Sequence, residues 1–190
     1  MPVYSYGRAL TLHGERDTEA VAFVHEGTST THAELDAGSN RRARAFAARG
    51  VGEGDFVTVA LPNGLEFIES LFACWKLGAT PQPISARLPK GERDAIIELV
   101  DPRLIVGVDP DAHPGHACLP AGLDLSGEDD SALPDRVSKY RMAICSGGST
   151  GRPKVVVDHI PAELDPSRPF HGLGPGASIL VPGPLYHSGP

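Results

Sequence analysis

The chain has 190 residues, 41% of them hydrophobic and 22% charged, the make-up of a folded globular domain or a large piece of one and not of a disordered or fibrous chain. A formal net charge of -7 with scattered Lys and Arg gives no basic stripe for a phosphate backbone, which argues against nucleic acid as a partner. No stretch has the length of a signal peptide or a bilayer span, and three well-separated cysteines, Cys74, Cys118 and Cys145, make no disulfide framework, so a cytoplasmic protein with reduced thiols and no membrane contact is expected.

Ala20 to His25 is a short apolar run closed by Glu26-Gly27-Thr28, which predicts a strand and its turn. Thr31 and Glu34 have the spacing of a capping box, in which each side chain satisfies a free backbone N–H of the other, so a helix is predicted from about His32 to Arg49. Leu35, Ala43, Phe46 and Ala47 supply its apolar stripe, and Gly50 is placed to close it in the left-handed conformation. Arg41, Arg42 and Arg44 fall mostly off that stripe and read as a solvated face.

Phe56 to Leu61 is a compact apolar strand broken by Pro62-Asn63, and Asn63 is suited to cap a second helix. That helix carries Leu65, Ile68, Leu71, Phe72 and Trp75 on one face, with Trp75 and Phe72 read as core residues, and ends at Gly78. Ala79 to Ile84 reads as extended despite Pro81 and Pro83. Pro89 then suits a first helical turn, Ile96, Ile97 and Val100 form a helical stripe, and Leu104 to Val108 is a strand. Strands alternating with helices predict an α/β fold, a parallel sheet wound with helices in a doubly wound arrangement, because a parallel pair needs a crossover and the crossover is usually a helix. Asp109 to Pro134 turns rich in Pro, Gly and Asp and reads as a surface connection; its His113, His116 and Cys118 lack a fourth ligand nearby, and no metal site is assigned.

The chemistry is concentrated between Arg141 and Asp158. Met142 to Cys145 and Val155 to Val157 read as strands, and between them stands Ser146-Gly147-Gly148-Ser149-Thr150-Gly151-Arg152-Pro153-Lys154. Glycines let the backbone approach an anion, exposed N–H groups on such a turn surround phosphate oxygens, and hydroxyls with Arg152 and Lys154 add donors and positive charge. A polar surface hairpin is the plain alternative. The segment is not a P-loop, but Gly147-Gly148-Ser149-Thr150-Gly151 satisfies the G-x-S-x-G pattern of a hydrolase nucleophile elbow. An elbow needs a helix after its serine, whereas Pro153 and three valines favour a strand, and the acid and base available, Asp165 with His171 or His187, lie in a short Pro-rich stretch.

Ser146 to Lys154 resembles the phosphate-loop signature of the adenylate-forming superfamily, which comprises acyl-CoA synthetases, nonribosomal peptide adenylation domains and luciferases. Thr30 to Leu35, Trp75 to Ile84 and Pro184 to Pro190 resemble the first, second and fourth core motifs, in order, so the resemblance spans nearly the whole chain. Tyr186-His187 resembles acyl- and aryl-CoA ligases more than amino-acid adenylation domains, which carry a Phe-Asp pair there, and the wording of both motifs resembles ligases of the bile-acid type, which take bulky polycyclic acids. One departure is Val155, where the family has Gly after the motif lysine.

The resemblance implies the N-terminal part of an acyl-CoA-synthetase-like adenylation domain over residues 1–190, with the C-terminal domain absent. It implies a two-step reaction, formation of an acyl-adenylate from ATP and a bulky hydrophobic, polycyclic or aryl acid, then thioester formation with coenzyme A or with a carrier protein. Ser146, Gly147, Gly148, Ser149, Thr150, Gly151 and Lys154 would hold the triphosphate, and Lys154 and His187 would serve catalysis, His187 near the reacting carboxylate. The family's groups for adenine, ribose and Mg2+ lie beyond position 190, so residues 1–190 alone are expected to be inactive and to need the remainder of the enzyme. A non-catalytic fragment serving as a binding module is the reading from a different class.

Overall fold

A computed structural model describes residues 2–146, 153–168 and 176–187. In chain order its elements are β1 (Tyr4–Ser5), α1 (Tyr6–Arg16), β2 (Val21–His25), β3 (Thr28–Thr31), α2 (His32–Ala47), β4 (Phe56–Val59), α3 (Leu65–Lys76), β5 (Thr80–Pro83), α4 (Lys90–Val100), β6 (Leu104–Val106), β7 (Ala117–Leu119), β8 (Ala143–Ser146), β9 (Lys154–Val157) and β10 (Glu163–Leu164). β4 to β7 form a sheet in the order β5-β4-β6-β7 with every pair parallel, as the strand–helix alternation predicts. β2–β3, β8–β9 and β1–β10 are antiparallel pairs.

The sheet is covered on both faces. Val57, Val59, Leu104, Val106 and Leu119 point to the side of α2 and α3, where Phe46 and Phe67 are fully buried; burying each such side chain contributes about 2 to 3 kcal/mol. Ile105 points the other way, into a cluster with Ile96 and Ile97 of α4, flanked by Cys118 and Cys145. This in–out alternation along β6 is what a strand buried on two faces requires.

α2 begins as the sequence predicts: Glu34 N–H donates to Thr31 Oγ1 at 3.2 Å and Thr31 N–H donates to Glu34 Oε2 at 2.8 Å. Gly50 follows it at φ +85 and Gly78 follows α3 at φ +72, both left-handed. The prolines of β5 are tolerated because Thr80 and Ile84 donate their N–H groups to Asp55 and Val59 of the neighbouring strand, so the alternate positions, at the sheet's edge, need no donor.

Three expectations need correction, and one helix lies where none is predicted. That helix, α1, is amphipathic and buries Gly7, Ala9, Leu10, Thr11 and Gly14, mostly small residues. The connection from Asp109 to Pro134 contains β7, which extends the parallel sheet beside β6. Arg42 is not solvated: its side chain is 6% exposed and lies between Glu66 and Glu69 of α3, while Arg41 and Arg44 meet Asp130 and Asp129 of the connection at the surface. The buried stripe of α3 is centred on Phe67, Leu71 and Cys74, which leaves Leu65 at 37% exposure and Ile68 and Phe72 only partly covered; Trp75 is buried in the core as expected.

No helix of the described residues is long and apolar enough to cross a membrane. All three cysteines are free thiols.

Candidate active site

The strands that flank the glycine-rich segment in sequence form a hairpin. β8 and β9 pair in antiparallel register through Ala143–Val157, Ile144–Val156, Cys145–Val155 and Ser146–Lys154, so Ser146 and Lys154 face each other across the ladder as its last pair. Gly147, Gly148, Ser149, Thr150, Gly151 and Arg152 lie outside the described residues. The motif runs on into a strand and not a helix, which removes the nucleophile-elbow reading. Lys154 is exposed.

The hairpin is anchored at its base. Trp75 Nε1 donates to Arg141 O at 2.8 Å, Arg141 N–H to Ile160 O at 2.7 Å and Asp158 N–H to Met142 O at 2.8 Å. Ile144 and Cys145 stand half-buried above the sheet. Burial pushes the Cys145 thiol up to about 11, against the opposing pull of its hydrogen bond from Gln82, so it stays protonated and unreactive at neutral pH. Cys74, fully buried in the core, is pushed up by burial still further.

A second component is fixed at the far end of β4. Asn63 does not cap α3, whose N-cap is Gly64 without a side-chain bond. Its amide instead donates to Gly183 O at 3.1 Å and accepts from Leu185 N–H at 3.0 Å. This brackets the Pro184-Leu185-Tyr186-His187 turn, in which His187 N–H donates to Pro184 O at 3.2 Å. Leu185 and Tyr186 pack on the main core, while His187 is exposed with its ring 4.5 Å from that of Tyr186. Asn63 stands just past the carboxyl end of β4, the side of a parallel sheet on which ligands bind.

The structure thus brings Ser146 and Lys154 together and holds His187 on a separate anchor. Among the described residues no hydrogen bond or ion pair joins Lys154 to His187. Nor does any group of three or more His, Cys, Asp or Glu there suit a metal ion: His113 Nε2 accepts from Arg93 while its Nδ1 lies 3.3 Å from Asp94 Oδ1, and His116 meets Asp101. Two contributors went unread in the sequence, Asn63 as an anchor and Gln82 as a buried link. An amide between the two prolines of a buried strand was the available signal for Gln82, since such a group must find a partner.

Comparison with known proteins bears on the same residues. The model of a family described as AMP-binding enzyme matches residues 10–188. The probable non-canonical nonribosomal peptide synthetase CymA of Salinispora arenicola is 31% identical over 164 residues, which are 85% of this chain and 2% of that protein. Feruloyl-CoA synthase of an Amycolatopsis species is 33% identical over 143 residues, 71% of this chain and 29% of that one. The chain therefore spans a minor part of the length of these relatives. Among solved structures, the N-terminal subdomain of NpsA from Klebsiella oxytoca superimposes with a TM-score of 0.70 at 18% identity, over 83% of this chain and 42% of that one, which is a likeness of fold.

Proposed function

The chain belongs to the AMP-binding enzyme family, within the adenylate-forming ligases, and from that premise we propose that it activates a bulky hydrophobic, polycyclic or aryl carboxylic acid with ATP and passes the acyl group to the thiol of coenzyme A. The observation that carries this reading is the hairpin that sets Ser146 and Lys154 opposite each other at the two feet of a glycine-rich turn.

In the first step a carboxylate oxygen of the acid attacks the α-phosphorus of ATP, and the bond to the pyrophosphate oxygen breaks, giving acyl-adenylate and pyrophosphate. Such a reaction asks the protein for positioning and for neutralisation of charge on the departing group. Lys154, exposed at the foot of β9, supplies positive charge to the pyrophosphate, and the N–H groups and hydroxyls of Ser146 to Gly151 supply donors. His187, presented by the turn that Asn63 holds, borders the acyl carboxylate. In the second step the thiol sulfur attacks the acyl carbonyl carbon, the bond to AMP breaks and the thiol proton is lost. The described residues offer no cluster of acidic ligands for Mg2+.

Tyr186-His187 supports coenzyme A as the acceptor, and the same pair together with Gly189-Pro190 supports bulky acids. A carrier protein is the second reading, favoured by the likeness to CymA. ATP as co-substrate fits a cytoplasmic reaction. The test offers the full-length protein ATP and a panel of aryl and polycyclic acids with either coenzyme A or a pantetheinylated carrier, and monitors AMP release and thioester mass. Lys154→Ala is expected to slow acyl-adenylate formation by roughly 10²-fold in single turnover while leaving transfer from preformed acyl-adenylate to the thiol nearly unchanged. Equal slowing of both halves, or none of the first, would refute the role given to Lys154.

A further inference from the structure

Two fully buried polar side chains interrupt the apolar face of the sheet beneath α4. Thr58 of β4 and Gln82 of β5 are register partners in the parallel pair, and both are 0% exposed. Thr58 Oγ1 donates to Gln82 Oε1 at 2.7 Å, which fixes the orientation of the amide. Gln82 Nε2 then donates away from the sheet, to Cys145 Sγ on β8 at 3.1 Å. Two residues earlier on the same strand face, Thr80 Oγ1 lies 3.3 Å from Ser138 Oγ, whose own proton goes to Tyr140 O at 2.8 Å. β5 thus uses both of its non-proline positions to hold the chain that enters β8.

These tethers matter because of how β8 is seated. β8 pairs with β9 and, among the described residues, forms no backbone ladder with the parallel sheet on which it rests. Its register against β5 is therefore set by side chains. Cys145 directly precedes Ser146, and Ser146 is the partner of Lys154, so the atom that Gln82 grips is one residue from the feet of the glycine-rich turn. A slip of β8 by one residue would turn Cys145 to the opposite face and leave the Gln82 amide unpaired in a dry interior, a costly state.

We propose that Gln82 is a positioning residue for the anion-binding hairpin: through Thr58 behind it and Cys145 in front of it, it sets the place at which β8 and β9 deliver Ser146 and Lys154. The role rests on the reading of the hairpin as the ATP phosphate site. Two measurements on the full-length protein test it. Amide hydrogen exchange is recorded over peptides covering 143–146 and 153–158, and KM for ATP is measured separately from kcat in acid-dependent pyrophosphate exchange.

The Thr58→Val/Gln82→Leu double variant removes both polar partners at similar volume and so limits the loss of stability. Cys145→Val removes only the distal acceptor, and Cys145→Ser keeps one. The double variant and Cys145→Val are expected to speed exchange of the hairpin amides by ~10-fold while the amides of β4 and β6 are unchanged. Both should raise KM for ATP ~5-fold with little change in kcat, and Cys145→Ser should stay near the parent in both respects. Unchanged hairpin exchange, or an unchanged KM for ATP, in variants with parental urea midpoints overturns the proposal. If the parent protein shows no acid-dependent exchange with any acid, the functional reading falls on that result, and Gln82 is judged by hydrogen exchange alone.

Discussion

Replacing Arg42 by Met should loosen the packing of α2 on α3 more than any loss of surface charge could. Arg42 Nη1 lies 3.2 Å from Glu66 Oε1 and Nη2 lies 3.3 Å from Glu69 Oε2, with the Arg42 and Glu69 side chains only 6% and 14% exposed. Glu66 is 27% exposed and also accepts from Gly122 N–H, so it keeps partners when Arg42 is gone. Glu69 does not, and Gly38 presses against its carboxylate: a Cβ there would stand 2.0 Å from Glu69 Oε1. Removing one member of a buried pair costs about 3 to 5 kcal/mol, and with Glu69 not wholly dry the lower figure applies, equivalent to a fall in Tm of about 10 °C.

The pH dependence gives the prediction its sign. Burial already raises the Glu69 carboxyl above its ordinary 4.5, against the pull of Arg42. Without Arg42 it rises further. A carboxyl raised in the folded state binds its proton more tightly there than in the unfolded chain, so its stabilising effect is present at low pH and is lost as pH rises through the folded value. The defect of Arg42→Met should therefore be largest near neutrality and should shrink on acidification as Glu69 takes up a proton. Urea unfolding of parent, Arg42→Met, Glu69→Gln and the double variant, at about pH 7.5 and about pH 5.5, measures both the cost and the coupling. A cost under about 1 kcal/mol, as for an exposed pair, or one that is the same at both pH values, would refute the reasoning.

Gly107→Ala should destabilise by at least ~3 kcal/mol, since φ is +90 and the new Cβ would sit 2.3 Å from Ala60 O, between neighbouring parallel strands; a parental denaturation midpoint would show that the strand ends move freely. Asn63→Ala removes both bonds to Gly183 and Leu185 at a partly solvated site, so the cost in stability should stay near ~1 kcal/mol while limited proteolysis around residues 183–187 quickens and, in the active enzyme, KM for the acid rises ~3-fold. An effect of Asn63→Ala on KM for ATP alone would place the 183–187 turn away from the acyl side.

What could be read in advance depended on how local its cause was. The start of α2 needs only Thr31 and Glu34, its end only Gly50, and the parallel sheet only the alternation of apolar strands with helices, and all of these stand in the structure where the sequence places them. The same holds for the strands on either side of the glycine-rich turn, because Pro153 and three valines oppose a helix without help from elsewhere. Arg42 could not be placed by its position on α2, since the charges that draw it inside belong to another helix. Asn63 carried a correct local propensity, but partners 120 and 122 residues away outcompeted the capping role.

Gln82 belongs with these distant cases, and the reason extends to the site as a whole. A glycine-rich turn can be recognised from its own residues, because the conformations and donors it needs are intrinsic to them. Where that turn stands in the molecule is decided by groups it does not contain. Thr58 and Gln82 lie on strands far back in the chain, and Cys145 is informative only once it is seen in their grasp. A buried amide costs stability wherever it lacks a partner, so a strand that carries one is restricted to arrangements that supply the partner. By that logic the polar residues hidden in β4 and β5 limit where β8 can sit, and through β8 they limit where Ser146 and Lys154 stand, the place proposed above for the triphosphate.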